Sequence, residues 1–176
     1  MRRVYDNFLH TEDFNTLVEG ITDQSFPWHA RLGAANAEDK EPAFSNVLWA
    51  EFGPTCQQIE LVMPILKKLK LTCVVRVKAN LDLPNKNGKV LEPESFHVDT
   101  TVHPPGLWTM VLYLNDCNGA TIFEKDMAPV RSKANRAVIF PSHMRHSGCH
   151  QTDTPFRYVI NINFVAEKVP EGGREF

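Results

Sequence analysis

Apolar positions along this chain change their spacing near residue 71, and the change divides it into a helical part and a strand-rich part. In the first part, Thr11-Glu12-Asp13 can cap a helix whose apolar stripe is Phe14, Leu17, Val18 and Ile21, at intervals of three and four. A second helix is expected from near Thr55 to Lys70, with Ile59, Val62, Met63, Leu66 and Leu69 facing a core and Pro64 bending or restarting it. From Leu71 onward the period shortens. Strands are expected over 72–81, 95–101, 108–115, 120–124, 136–141 and 156–165, separated by turns rich in Gly, Pro and Asn. The last is the clearest: Arg157, Val159, Asn161 and Asn163 fall on one face, and Tyr158, Ile160, Ile162 and Phe164 on the other.

Two helices followed by a run of short strands predict a mainly β, α+β fold. The expected form is a double-stranded β-helix, or jelly roll, with supporting N-terminal α-helices. The 176 residues suit a single domain over 1–176, with helical support over roughly 1–70 and a barrel over roughly 71–166. Neither an internal repeat nor a low-complexity block interrupts it.

Charge and cysteine usage narrow the setting. A net charge of −2 with dispersed Lys and Arg gives no broad electrostatic footprint for nucleic acid, so no nucleic-acid partner is expected. The one basic run, Lys67-Lys68-Leu69-Lys70, reads as the solvated end of the second helix, where cations complement the dipole. Cys56, Cys73, Cys117 and Cys149 form no C-x-x-C pair, as expected of reduced thiols. No stretch has the length of a signal-peptide core or a membrane span, so a soluble, cytoplasmic protein is expected.

The candidate chemistry is concentrated late in the chain. His97-Val98-Asp99 places an imidazole and a carboxylate at i and i+2, and on an extended strand both side chains point to the same side. A second histidine, His146, follows the short apolar segment Asn135–Pro141 and precedes Arg157. Two imidazoles and one carboxylate on one face of a metal leave three positions open, as an iron(II) that must take both an oxidant and a co-substrate requires. Arg157, the one charged group on its strand's polar face, can make a two-pronged contact to a carboxylate. Ser147-Gly148 opposes the helix that a zinc cluster of His143, His146 and His150 would need. His10 and His103 read as surface and turn residues.

Two other segments have alternative readings. Residues 83–94, which include Leu83-Pro84-Asn85-Lys86-Asn87-Gly88-Lys89, are polar and turn-rich, either a plain hairpin loop or a lid that orders over substrate. Phe26-Pro27-Trp28-His29 either packs or walls a pocket.

With these residues in view, the chain resembles the iron(II)- and 2-oxoglutarate-dependent oxygenases, particularly the small prolyl-hydroxylase-like and phytanoyl-type branches. The resemblance covers most of the sequence. Val4–Leu9 looks like the family's opening strand, Val75–Leu81 like the strand leading to the first ligand, and Leu112–Asp116 like the strand and turn after it. The family's Gly-Gly-Thr is here Gly119-Ala120-Thr121, and the serine that some members carry two residues after the arginine is here Val159. The resemblance implies iron(II) on His97, Asp99 and His146, and 2-oxoglutarate anchored by Arg157, with Tyr113 a further candidate. It also implies dioxygen as oxidant and decarboxylation to succinate coupled to hydroxylation of a C–H bond. Halogenating relatives replace the carboxylate by a small residue, so Asp99 favours hydroxylation.

The prime substrate is expected to be a small molecule or a peptidyl group: a prolyl side chain, a free amino acid and a small lipid-like acid are all open. The alternatives are a cupin-type metalloenzyme that does not use 2-oxoglutarate, which more commonly shows H-x-H with a separate Glu, and a jelly roll that binds a ligand without turnover. A DNA-alkylation-repair oxygenase would show Arg-x-Asn where this chain has Arg157-Tyr158-Val159.

Overall fold

A computed structural model describes residues 1–32, 42–51 and 53–176. In chain order the elements are β1 (Arg3–Tyr5), α1 (Thr11–Thr22), β2 (His29–Leu32), β3 (Pro42–Ala50), β4 (Gly53–Pro54), a 3-10 helix (Gln57–Val62) and α2 (Met63–Leu69). Then come β5 (Cys73–Asp82), β6 (Leu107–Tyr113), β7 (Ala120–Phe123), β8 (Pro129–Arg131), β9 (Arg136–Pro141), β10 (His146–Cys149), β11 (Arg157–Val165) and β12 (Arg174–Glu175).

Two antiparallel sheets form the double-stranded β-helix expected from the strand succession. The larger runs β12-β1-β9-β6-β11-β5-β3-β2, with β4 beside β3, and the smaller runs β10-β7-β8. Side chains alternate across the larger sheet and fill two separate cores. On its outer side Met110, Leu112, Ile160, Ile162 and Phe164 pack with Leu17 and Ile21 of α1 and Ile65 and Leu69 of α2. On its inner side Val111, Tyr113, Val138, Phe140 and Val159 meet Phe123 and Val130 of the smaller sheet. Most of these side chains are fully or nearly fully buried, and each such Leu, Ile or Phe stabilises the fold by about 1.5–3 kcal/mol.

The helices follow the sequence pattern in their buried faces more closely than in their ends. Leu17 and Ile21 of α1 are fully buried, with Phe14 and Val18 packed beside them. Thr11 begins α1 rather than capping it: His10 occupies the N-cap and makes no side-chain cap bond. The second helix is not continuous. Its first half is 3-10, and Pro64 sits in the opening turn of α2, where the missing N–H costs no intrahelical bond. Lys67, Lys68 and Lys70 are exposed at its C-terminal end, as expected.

Two expectations need correction. Residues 95–101 are not a strand: their one ladder contact is an isolated bridge between His97 and His146. Flanking hydrogen bonds hold this segment instead, Glu94 N–H donating to the Gly148 carbonyl (3.2 Å) and Ser95 N–H to Ser147 Oγ (3.1 Å). The N-terminal 70 residues also do more than supply helices, because β1 and β3 extend the larger sheet on both sides. Phe26 and Trp28 pack together at 4.7 Å, and Trp28 meets Tyr158 at 6.0 Å on the outer side of β11, away from the inner face.

Candidate metal and acid-binding site

The inner face of β5 and β11 forms one wall of a cavity of about 300 Å³. Antiparallel register sets the cross-strand pairs: Arg157 lies opposite Asp82, Val159 opposite Asn80, Asn161 opposite Lys78 and Asn163 opposite Arg76. His97, Asp99 and His146 stand across from this wall, and their ligand atoms lie within 4.8 Å of one another. Asp99 Oδ1 is 3.9 Å from His97 Nε2, and Asp99 Oδ2 is 4.0 Å from His146 Nε2.

The backbone positions both imidazoles in the same way. His97 N–H donates to the His146 carbonyl at 2.9 Å, and His146 N–H to the His97 carbonyl at 3.0 Å. Each ring directs Nδ1 at the carbonyl two residues earlier, Ser95 at 2.9 Å for His97 and Met144 at 3.1 Å for His146. An Nδ1–H donated to that carbonyl leaves Nε2 with its lone pair facing the cavity, the form that binds a metal. Thus the i, i+2 argument holds for side-chain direction although a single bridge, not a strand, supplies the extended backbone. Burial, followed by the neighbouring His97, pushes the His146 pKa below its ordinary value against the pull of Asp99, which favours the neutral ligand.

The carboxylate is fixed from β11 and β5. Asn163 Nδ2 donates to Asp99 Oδ2 at 3.0 Å, and Arg76 reaches Asp99 Oδ1 at 3.3 Å while bonding Asn163 Oδ1 at 3.1 Å. Burial alone would raise the Asp99 carboxyl, but His146, Arg76, Asn163 and His97 together hold it below the usual carboxylate range. One hard oxygen and two borderline nitrogens, oriented from behind, are a donor set that fits iron(II).

Arg157 lines the same cavity, 2% exposed. It pairs with Asp82, donates from NH2 to the Ala120 carbonyl at 3.3 Å, and keeps a buried Nε with no partner. Burial opposes its charge, but Asp82 together with Tyr113 and Cys117 outweighs this and keeps the guanidinium protonated. Gly119 makes room for it: a Cβ there would lie 2.8 Å from Arg157 Cδ and 2.9 Å from the Cys149 carbonyl oxygen.

Tyr113 does not line the cavity. Its ring lies 5.4 Å from the Arg157 guanidinium carbon, and its hydroxyl is 2.8 Å from Thr121 Oγ1 and 3.0 Å from the Val130 carbonyl oxygen. Burial raises its pKa, leaving a neutral phenol. Thr121 does line the cavity.

Sequence reasoning missed Asp82, Arg76, Asn163 and Thr121. Alternation along 72–81 carries the signal for Arg76, and the face containing Arg157 already included Asn163, but the cross-strand register that joins them is not in the sequence. The other histidines stand apart from the ligand cluster: His143 is exposed, His103 bonds Ser142 Oγ at 3.1 Å, and His150 pairs with Glu94 at 2.6 Å. Buried Cys149, its thiol raised to about 11, is an inert packing residue.

Residues 91–165 match the 2OG-Fe(II) oxygenase superfamily, a stretch that includes the three clustered side chains and Arg157. The superfamily works with iron(II), 2-oxoglutarate and dioxygen.

The fold is similar to that of a Trichoplax adhaerens prolyl hydroxylase solved with a hypoxia-inducible-factor peptide fragment. The TM-score is 0.62 at 14% identity, covering 94% of this chain and 84% of that one. It is also similar to a viral collagen prolyl hydroxylase from Paramecium Bursaria Chlorella virus-1 in its 2OG complex (0.60, 14%, 95% and 96%) and to a Pseudomonas putida prolyl-4-hydroxylase (0.60, 16%, 94% and 92%). No curated protein matches by sequence. No helix among the described residues is long and apolar enough to cross a membrane.

Proposed function

We propose that the chain is a single-domain iron(II)- and 2-oxoglutarate-dependent hydroxylase acting on a C–H bond of a peptidyl or small-molecule substrate. The observation that carries this reading is the convergence of His97, Asp99 and His146 on a cavity that also holds the buried cation Arg157. His97, Asp99 and His146 hold the metal facially, with Asn163 and Arg76 keeping the carboxylate in place. Arg157 binds the far carboxylate of 2-oxoglutarate. Tyr113 holds the guanidinium from behind, and Thr121 offers a hydroxyl beside it. Iron(II), when bound with 2-oxoglutarate and dioxygen, supplies the oxidising power to place a hydroxyl on carbon, releasing succinate and carbon dioxide. The protein excludes water with Val98, Val111 and Val159 on the cavity wall.

A prolyl side chain is the first substrate to test, since the similar folds named above include prolyl hydroxylases. The four free thiols support a reducing compartment such as the cytoplasm.

The test is iron-dependent succinate formation against a panel of proline-containing peptides and metabolites, with mass spectrometry for the gain of one oxygen atom. Metal binding without 2-oxoglutarate binding would favour a cupin-type enzyme. Binding of both without succinate formation would leave a ligand-binding jelly roll.

A further inference from the structure

Arg157 offers the cavity one end of its guanidinium, and an acid already holds that end. Its Cδ and Nε lie against Gly119, where a Cβ would come within 2.8 and 3.2 Å of them, so the Nε edge faces main chain. Nε is buried with no partner, and NH2 donates to the Ala120 carbonyl. A two-pronged contact to a carboxylate is therefore made at the NH1–NH2 end. There NH1 donates to Oδ2 of Asp82, the last residue of β5, which lies opposite Arg157 across the sheet and lines the same cavity. Glu94 lines the cavity too, but it is paired with His150 at 2.6 Å. Asp82 is not needed to place the guanidinium. The Tyr113 ring lies 5.4 Å from its carbon, the Ala120 carbonyl takes NH2, and Gly119 and the Cys149 carbonyl wall the side chain. Asp82 itself stands at a strand end with its side chain 22% exposed, within reach of water. A second carboxylate on the same guanidinium end brings two like charges together, and each disfavours the other.

We infer that Asp82 sets the specificity of the acid anchor: its carboxylate rivals the far carboxylate of the co-substrate for NH1 of Arg157. The site consequently separates a 2-oxo acid with a charged far end from one with a neutral far end less sharply than Arg157 alone would. Removing the charge of Asp82 sharpens that discrimination, and it does so without touching any of the proposed metal ligands.

The inference rests on the proposed function, in which Arg157 binds that far carboxylate, and the experiment tells the two apart. Protein loaded with Zn(II), a redox-inert stand-in for iron(II), is titrated calorimetrically with N-oxalylglycine, an unreactive analogue of 2-oxoglutarate, and with N-oxalylglycinamide. The two probes share the oxalyl group and differ in charge at the far end. Asp82→Asn keeps an oxygen that accepts from NH1 and loses the charge. It should bind N-oxalylglycine about ten-fold tighter than wild type, the scale on which one carboxylate disfavours another beside it, with the amide unchanged. Asp82→Ser should shift in the same direction, so the result does not depend on one variant folding, and Asp82→Glu, which keeps the charge, should bind no tighter than wild type. Unchanged or weaker N-oxalylglycine binding in Asp82→Asn and Asp82→Ser would overturn the rivalry and make Asp82 a plain support for the guanidinium. Equal tightening of both probes, or tightening in Asp82→Glu, would overturn it as well. Arg157→Leu identifies which reading fails: N-oxalylglycine binding as tight as in wild type would sink the proposed anchor and the inference with it, whereas binding lost in Arg157→Leu but unmoved in Asp82→Asn would sink the inference alone.

Discussion

Asn163 donates its side-chain amide to Asp99 at 3.0 Å from the strand that also carries Arg157, so β11 supports both the proposed carboxylate ligand and the proposed acid anchor. Asn163 is fully buried and bonds Thr109 Oγ1 and Arg76 as well. Asn163→Leu should lower iron affinity by about 10–100-fold, the usual cost of losing a group that orients a ligand. Competition against a metal chelator measures this, and unchanged affinity with the fold intact would show that Asp99 needs no support from β11.

Replacing His146 by Ala should lower metal affinity by more than about 100-fold, since a direct ligand counts for more than an orienting group. His150→Ala should leave it nearly unchanged, because His150 faces Glu94 rather than the ligand cluster. Metal titration of the two variants checks the assignment, and the reverse order of effects would reassign the distal ligand.

Arg157→Leu should raise the 2-oxoglutarate requirement with iron affinity largely kept. The lost charge-assisted hydrogen bonds amount to about 1.5–3 kcal/mol, or roughly 10–150-fold in KM. Asp82 is left without its partner in this variant, so thermal stability should fall as well. Steady-state kinetics paired with chelator competition separates the anchor from the metal site.

Gly119→Ala tests the space behind the anchor. The added methyl meets Arg157 Cδ and the Cys149 carbonyl oxygen at distances that require movement, and overpacking of this kind costs about 1–3 kcal/mol. A lower melting temperature and a raised KM for 2-oxoglutarate are expected together. A normal KM would mean that the side chain of Arg157 accommodates the methyl without leaving its position.

The 83–94 segment should loosen as pH rises. Burial opposes protonation of His150, but Glu94, helped by Asp82 and against Arg157, raises its pKa above the ordinary 6.5. The ion pair with Glu94 therefore contributes fully below that value and is lost as pH climbs through the raised one. Glu94 N–H bonds the Gly148 carbonyl, and Asn85 N–H the Gln151 carbonyl at 2.8 Å. Hydrogen exchange at these amides, corrected for its intrinsic pH dependence, should quicken with pH in the native protein and lose that trend in His150→Gln. Substrate should restore protection across the segment if it acts as a lid, and a segment equally protected without substrate would be a fixed loop.

The sequence shows the barrel where a strand has one face or both buried. β11 is readable because apolar Tyr158, Ile160, Ile162 and Phe164 alternate with a polar face, and β9 because Ala137, Val138, Ile139 and Phe140 are all buried. β3 is not readable, since the register shift between Val47 and Trp49 breaks its alternation. The segment carrying His97 and Asp99 misled in the opposite way: Phe96, Val98 and their neighbours have strand-like residues, yet the segment makes a single ladder contact, at His97. The types and order of the proposed ligands are local properties and could be read. The pairing of Asp82 with Arg157, and of Asn163 with Asp99, depends on strand register and could not.

The reciprocal backbone bonds between His97 and His146 join two stretches of chain that are far apart in sequence. A metal on the same two residues and Asp99 would act there as a removable cross-link, closing the intervening polypeptide into a ring in the way a disulfide does. Loading the ion would thus draw on chain entropy as well as ligand chemistry, and stripping it would free the segment around His97 to separate from β10 while the larger sheet stays whole.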